Sequence, residues 1–161
     1  MMRGARRRIG LAISAYRSFD VRLVDGFRLS DGNIILFPQD ERSSREEDGG
    51  FWVRGRSRTF LVIQTAEPAA ELLVTLSSPV EGKTRIRVGT AKKSAHRTFS
   101  AGRSATLRFL SPRGVRWKGR YLYALQIEER SGFFPYKIDR NSQDKRYLGV
   151  CVRLTSSLRR R

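Results

Sequence analysis

Side chains able to run chemistry are few in this chain, and they are scattered. There is one histidine, His96, and one cysteine, Cys151. His96 lies in Ala91-Lys92-Lys93-Ser94-Ala95-His96-Arg97, read as a basic turn between two strands, and no sequence-local carboxylate orients it. No Gly-x-Ser-x-Gly elbow is present either. A Ser-His-Asp relay would have to run through His96, and neither feature supports one, so His96 reads as a surface residue. Cys151 is flanked by Val150 and Val152, and strict alternation puts it opposite the apolar face, without an activating partner. A lone cysteine also excludes an internal disulfide framework and any multi-cysteine zinc site.

Paired carboxylates occur at Glu46-Glu47 and Glu128-Glu129. Adjacent residues of a strand point to opposite faces, so neither doublet forms a general acid/base pair. Asp139-Arg140-Asn141-Ser142-Gln143-Asp144 offers oxygen ligands, but it lacks the sixth-position glycine and distal glutamate of an EF-hand loop. It reads as Asx-type turns and ion pairs that shape a loop. No catalytic residue, no metal site and no cofactor is expected.

Whatever binds this chain must meet a strong positive field. Of 161 residues, 33 are Lys or Arg and 15 are Asp or Glu, for a formal charge of +18. Hydrophobic residues make up 39%, too many for a disordered polycation and enough for one domain with a core. No apolar run approaches the roughly 20 residues that a membrane-spanning helix needs. Residues 1–17 begin with an arginine cluster followed by about five apolar residues, shorter than the roughly 7–15 of a secretory signal. They are read as a basic tail or short helix, and 155–161 as a second basic tail. Residues 1–50 hold nine basic and eight acidic groups, so the excess charge falls on residues 51–161.

The elements that must position these groups are strand-like. Thr59–Gln64, Glu71–Leu76, Thr84–Gly89, Ala105–Leu110, Tyr121–Ile127 and Leu148–Leu154 are short apolar or alternating runs separated by Gly, Pro and Ser. In the last two, Tyr121, Tyr123, Leu125 and Ile127 share one face, as do Leu148, Val150, Val152 and Leu154. Period-two runs with this punctuation predict an all-β, antiparallel β-sandwich, jelly-roll-like or Ig-like, over residues 51–154. Residues 18–50 are read as an edge hairpin, Val21–Val24 against Ile34–Phe37 through Asp31-Gly32, followed by the acidic loop 38–50. Pro135 suits a strand edge, and Gly149 a close approach or a bulge in the last strand.

Two stretches mix rings with cations: Phe51-Trp52-Val53-Arg54-Gly55-Arg56 and Arg113-Gly114-Val115-Arg116-Trp117-Lys118-Gly119-Arg120-Tyr121. Trp52, Arg54, Arg56, Arg116, Trp117, Arg120 and Tyr121 are therefore the candidate binding residues. Such surfaces stack bases while neutralising phosphates, and they equally stack the apolar faces of sugars. Trp52 and Trp117 as plugs of the sandwich core is the competing reading.

Gly132-Phe133-Phe134-Pro135, the Asp-containing loop after it and Arg146-Tyr147-Leu148-Gly149-Val150 resemble the closing motif of β-sandwich domains of bacterial proteins associated with cell-envelope glycans. Gly50-Phe51-Trp52-Val53-Arg54-Gly55 resembles their opening strand, so the resemblance covers residues 49–154. It implies a non-catalytic accessory or binding module, with a glycan or a partner protein as ligand. The alternative is a basic nucleic-acid-binding or ribonucleoprotein component, which would bind DNA or RNA at roughly micromolar affinity or tighter at low salt; under the glycan or partner-protein reading, nucleic-acid binding is weak and salt-sensitive. Cytoplasmic and envelope-associated locations both fit.

Overall fold

Alternation along the chain becomes two antiparallel sheets packed face to face. The computed structural model describes residues 27–28, 33–38, 43–45, 50–89 and 95–158. The strands are β1 (Phe27–Arg28), β2 (Ile35–Pro38), β3 (Ser43–Arg45), β4 (Phe51–Arg54), β5 (Arg58–Thr65) and β6 (Ala69–Ser77). They continue with β7 (Gly82–Val88), β8 (Ala95–Phe99), β9 (Ser104–Leu110), β10 (Val115–Trp117), β11 (Arg120–Glu129) and β12 (Leu148–Leu158). One four-residue helix, α1 (Pro135–Ile138), interrupts the long β11–β12 connection. The first sheet runs β1-β2-β5-β11-β7-β8, with β10 added to β11, and the second runs β3-β4-β12-β6-β9. The expected antiparallel sandwich is the observed fold.

Apolar side chains at every second position make the core. Leu61, Ile63, Ile86, Leu125 and Ile127 of the first sheet meet Phe51, Val53, Leu72, Leu76, Val152 and Leu154 of the second, all at most 1% exposed. Each contributes roughly 1.5–3 kcal/mol by leaving water. Tyr123 is buried among them, and its hydroxyl accepts a 2.8 Å hydrogen bond from the Ala69 N–H.

Several local expectations change. β1 pairs with β2 through Phe27↔Leu36 and Arg28↔Ile35; Val21–Val24 and residues 1–17 lie outside the described residues. Ile34, just before β2, is fully buried in the core. β12 continues to Leu158, pairing Thr155 with Leu73 and Ser157 with Glu71, because β6 offers it a partner to its end. His96 stands on β8 opposite Arg85, exposed, rather than in a turn. Pro135 starts α1 instead of edging a strand, since a first-turn position tolerates its missing N–H. Gly149 does what close approach requires: a Cβ there would lie 2.5 Å from Glu129 Cγ and 3.1 Å from Gly55 Cα. The β12–β4 register shifts between Leu148 and Cys151.

Candidate functional site

Between β4 and β5 the chain leaves one sheet for the other through Gly55-Arg56-Ser57. Backbone hydrogen bonds pin this turn on both sides. Gly55 N–H donates to the Tyr147 carbonyl at 3.1 Å, Arg56 N–H to the Ser131 carbonyl at 3.0 Å, and Glu129 N–H to the Ser57 carbonyl at 2.9 Å. The Ser57 hydroxyl closes it by donating to the Arg54 carbonyl at 2.6 Å. Arg56 takes φ = +50°, a left-handed conformation that costs an L-residue about 1–2 kcal/mol and aims its side chain outward from the apex.

Around the turn opens a cleft of about 420 Å³ lined by Arg54, Gly55, Arg56, Ser57, Arg58 and Tyr147. That volume lies within the roughly 300–1,000 Å³ typical of ligand pockets. The Tyr147 ring forms its aromatic wall and rests on bare backbone. A Cβ on Gly55 would meet Tyr147 Cε1 at 2.7 Å, and one on Gly132 would meet Cζ at 2.6 Å. Phe134 packs against Tyr147 with ring centroids 4.9 Å apart, and Tyr136 follows Phe134 at 5.6 Å. Lys137 Nζ lies 5.2 Å from the Phe134 ring centroid. Rings thus extend from the cleft onto the surface, where Tyr136 is 41% exposed.

The Glu128-Glu129 doublet splits between faces as strand geometry demands. Glu128 points outward to Arg58 at 3.3 Å, Arg130 at 3.5 Å and Arg85 at 4.0 Å. Glu129 points inward, 2% exposed, and accepts from the Thr84 hydroxyl and from the Ser131 hydroxyl and N–H. Partial burial pushes the Glu128 carboxyl up, and Arg58, Arg130 and Arg85 more than offset it, leaving it below its ordinary 4.5.

On the far side of the cleft's aromatic ledge, Asp139 and Asp144 make the expected Asx turns, each accepting a backbone N–H two residues on at 2.9 Å. The hydrogen bond from the Arg146 guanidinium holds the Asp144 carboxyl below its ordinary 3.8. Depressed carboxylates stabilise the fold above their unfolded values, and the contribution disappears as pH falls through the lower folded values. The melting temperature is therefore expected to hold from pH 7 to about pH 5 and to fall below about pH 4. In Arg146→Gln the acid-side fall should be shallower; an identical pH profile would remove Asp144 from the account. Among the described residues no cluster of His, Cys, Asp or Glu is arranged to hold a metal ion.

The seven candidate residues do not converge. Arg54 and Arg56 line the cleft. Trp52 stands next door on the outer face of the second sheet, half-buried opposite Cys151 and edge-on to Phe133 at 5.6 Å. Trp117 and Arg120 face each other across the β10–β11 hairpin, and Arg116 faces Tyr121. Arg58 opposes Glu128 and Thr65 opposes Tyr121, so hairpin and cleft sit at opposite ends of β11, about 23 Å apart at ~3.3 Å per residue. Tyr121 is half-buried against the core. Trp117 packs outside the core, on Val62 and Leu122 of the first sheet's outer face. Neither tryptophan plugs the sandwich.

Tyr147, Ser57 and Arg58 also line the cleft and are not among the seven. Tyr147 looked like the lead-in to the last strand, far along the chain from the cleft's other lining groups. The available signal was Gly55 between two arginines, a bare backbone position that an aromatic ring can cover.

No family model matches the chain, and no curated protein does. Among solved structures, the chain is similar to TmCBM61 in complex with beta-1,4-galactotriose, with a TM-score of 0.38 and 8% identity over 81% of this chain and 91% of that one. It is also similar to a Podospora anserina GH26-CBM35 beta-(1,4)-mannanase, with a TM-score of 0.36 and 11% identity over 80% of this chain and 29% of that one.

Proposed function

We propose that this β-sandwich is a non-catalytic glycan-binding module and that the cleft around the β4–β5 turn is its binding site. The observation that carries the reading is the Tyr147 ring, held against Gly55 and Gly132 beside side chains rich in hydrogen-bond donors. A fixed aromatic plane with polar groups around it is what a sugar needs: apolar C–H face on the ring, hydroxyls on the rim. Arg54 and Arg56 of the predicted set belong to this site directly, and Trp52 stands outside its lining, edge-on to Phe133. The hairpin group of Arg116, Trp117, Arg120 and Tyr121 stands apart from it.

Native electrophoresis through gels containing soluble polysaccharides tests the reading. The wild-type chain is expected to be retarded by at least one of them. Tyr147→Ala should weaken that binding about 30-fold, the equivalent of the ~2 kcal/mol that truncating a central anchor removes. Tyr147→Phe, which keeps the ring, should stay within about threefold. Retardation by none of the polysaccharides overturns the proposal. Loss in Trp117→Ala with retention in Tyr147→Ala would move the site to the β10–β11 hairpin.

A further inference from the structure

Ligand chemistry at the cleft is constrained by what its lining lacks. Three guanidiniums, from Arg54, Arg56 and Arg58, line it, with no carboxylate among the described residues of the lining. Guanidinium is all donor, with no acceptor to offer. A neutral sugar presents hydroxyls that both donate and accept, whereas three guanidiniums only donate and leave the Ser57 and Tyr147 hydroxyls as the side-chain acceptors of the described lining. A carboxylate or sulfate only accepts, and it matches the planar fork bidentately.

Charge counts in the same direction. Arg58 is engaged by Glu128, a carboxylate it shares with Arg85 and Arg130, so the cations left for a ligand are Arg54 and Arg56. Arg54 and Arg56 are exposed, and among the described residues neither has an ion-pair partner. Arg56 is moreover held in a left-handed conformation that glycine would adopt without strain. The turn apex thereby presents one cation beside two others.

We infer that the cleft binds an acidic glycan, its carboxylate or sulfate groups taken by Arg54 and Arg56 while a sugar ring lies on Tyr147. The inference rests on the glycan reading and narrows it to one chemical class. A nucleic acid fits less well. Its backbone needs a cationic groove that tracks successive phosphates, whereas Arg108 is tied to Glu71 and Arg146 to Asp144, and the two ring-and-cation stretches lie at opposite ends of the sandwich.

The test must separate this site from the general attraction of a +18 chain for any polyanion. Affinities at 0.15 M salt are to be measured for polygalacturonate, its fully methyl-esterified form, kappa-carrageenan and poly(U). The variants are Arg54→Gln/Arg56→Gly and, as an equal-charge control away from the cleft, Arg113→Gln/Arg153→Gln. Binding of polygalacturonate or carrageenan is expected to fall at least tenfold in the cleft variant and no more than about twofold in the control. The polymer that shows this dependence names the acid group. The esterified polymer should bind at least tenfold more weakly than its acid, and the melting temperature of the cleft variant should be unchanged or raised. Equal binding of ester and acid would overturn the acidic-ligand inference and leave the glycan reading standing. Equal losses in the two variants would reduce the attraction to net charge and overturn the inference. Tighter, cleft-dependent binding of poly(U) would overturn it in favour of nucleic acid. Absence of binding to all polysaccharides would overturn both readings together.

Discussion

Glu129→Ala is expected to lower the melting temperature by about 6–12 °C. Its carboxyl is 2% exposed and serves three donors at once, the Thr84 hydroxyl on one oxygen and the Ser131 hydroxyl and N–H on the other. Truncation strands them. Hydroxyls can rotate toward other acceptors, but the Ser131 N–H is fixed by the backbone, and an unsatisfied buried donor costs about 1–3 kcal/mol. With the cavity left by the side chain, a total of about 3 kcal/mol is reasonable. At roughly 2–4 °C per kcal/mol for a chain of this size, that cost sets the size of the shift. Glu129→Gln keeps an acceptor for Ser131, and its amide can donate to Thr84, so it should lose less than half as much. Equal losses for Ala and Gln, read by thermal denaturation, would mean that hydrogen bonding is not what Glu129 contributes. The consequence reaches the cleft, because the Ser131 carbonyl also accepts the Arg56 N–H at 3.0 Å.

Gly55→Ala should destabilise by about 3 kcal/mol and abolish ligand retention together, although it changes no group that touches a ligand chemically. The new methyl would lie 2.7 Å from Tyr147 Cε1, 2.8 Å from Gly132 Cα and 3.0 Å from the Ser131 carbonyl oxygen. The ring can yield, but Gly132 and Ser131 are backbone, held by the same hydrogen bonds that shape the turn. Relief therefore displaces Tyr147 from the cleft wall. Gly102→Ala is the matched control: nothing lies within 4 Å of its Cβ, but φ is +70°, so only the roughly 1–2 kcal/mol of left-handed strain is expected. Comparable melting temperatures for the two variants would show that the Gly55–Gly132–Tyr147 contact is not tight in solution.

Strand character and facing were legible in the chain because they depend on neighbours two residues apart. Tyr123, Leu125 and Ile127 point inward from β11, and Cys151 points away from the core between Val150 and Val152, as alternation alone requires. The opposite facing of Glu128 and Glu129 comes from the same rule. Which strand lies beside which does not, since β12 inserts between β4 and β6, and β11 between β5 and β7, pairings set by long-range packing that no local pattern encodes. The same limit explains the site. Two stretches of similar composition looked equivalent along the sequence. The register that sets Arg58 opposite Glu128 and Tyr121 opposite Thr65 sent them to opposite ends. Composition and period determined that this chain is a basic β-sandwich. Only the tertiary structure brought Tyr147 against Gly55, far apart in the chain, because a ring and a bare backbone fit one another only where the β4–β5 turn meets both ends of the β11–β12 connection.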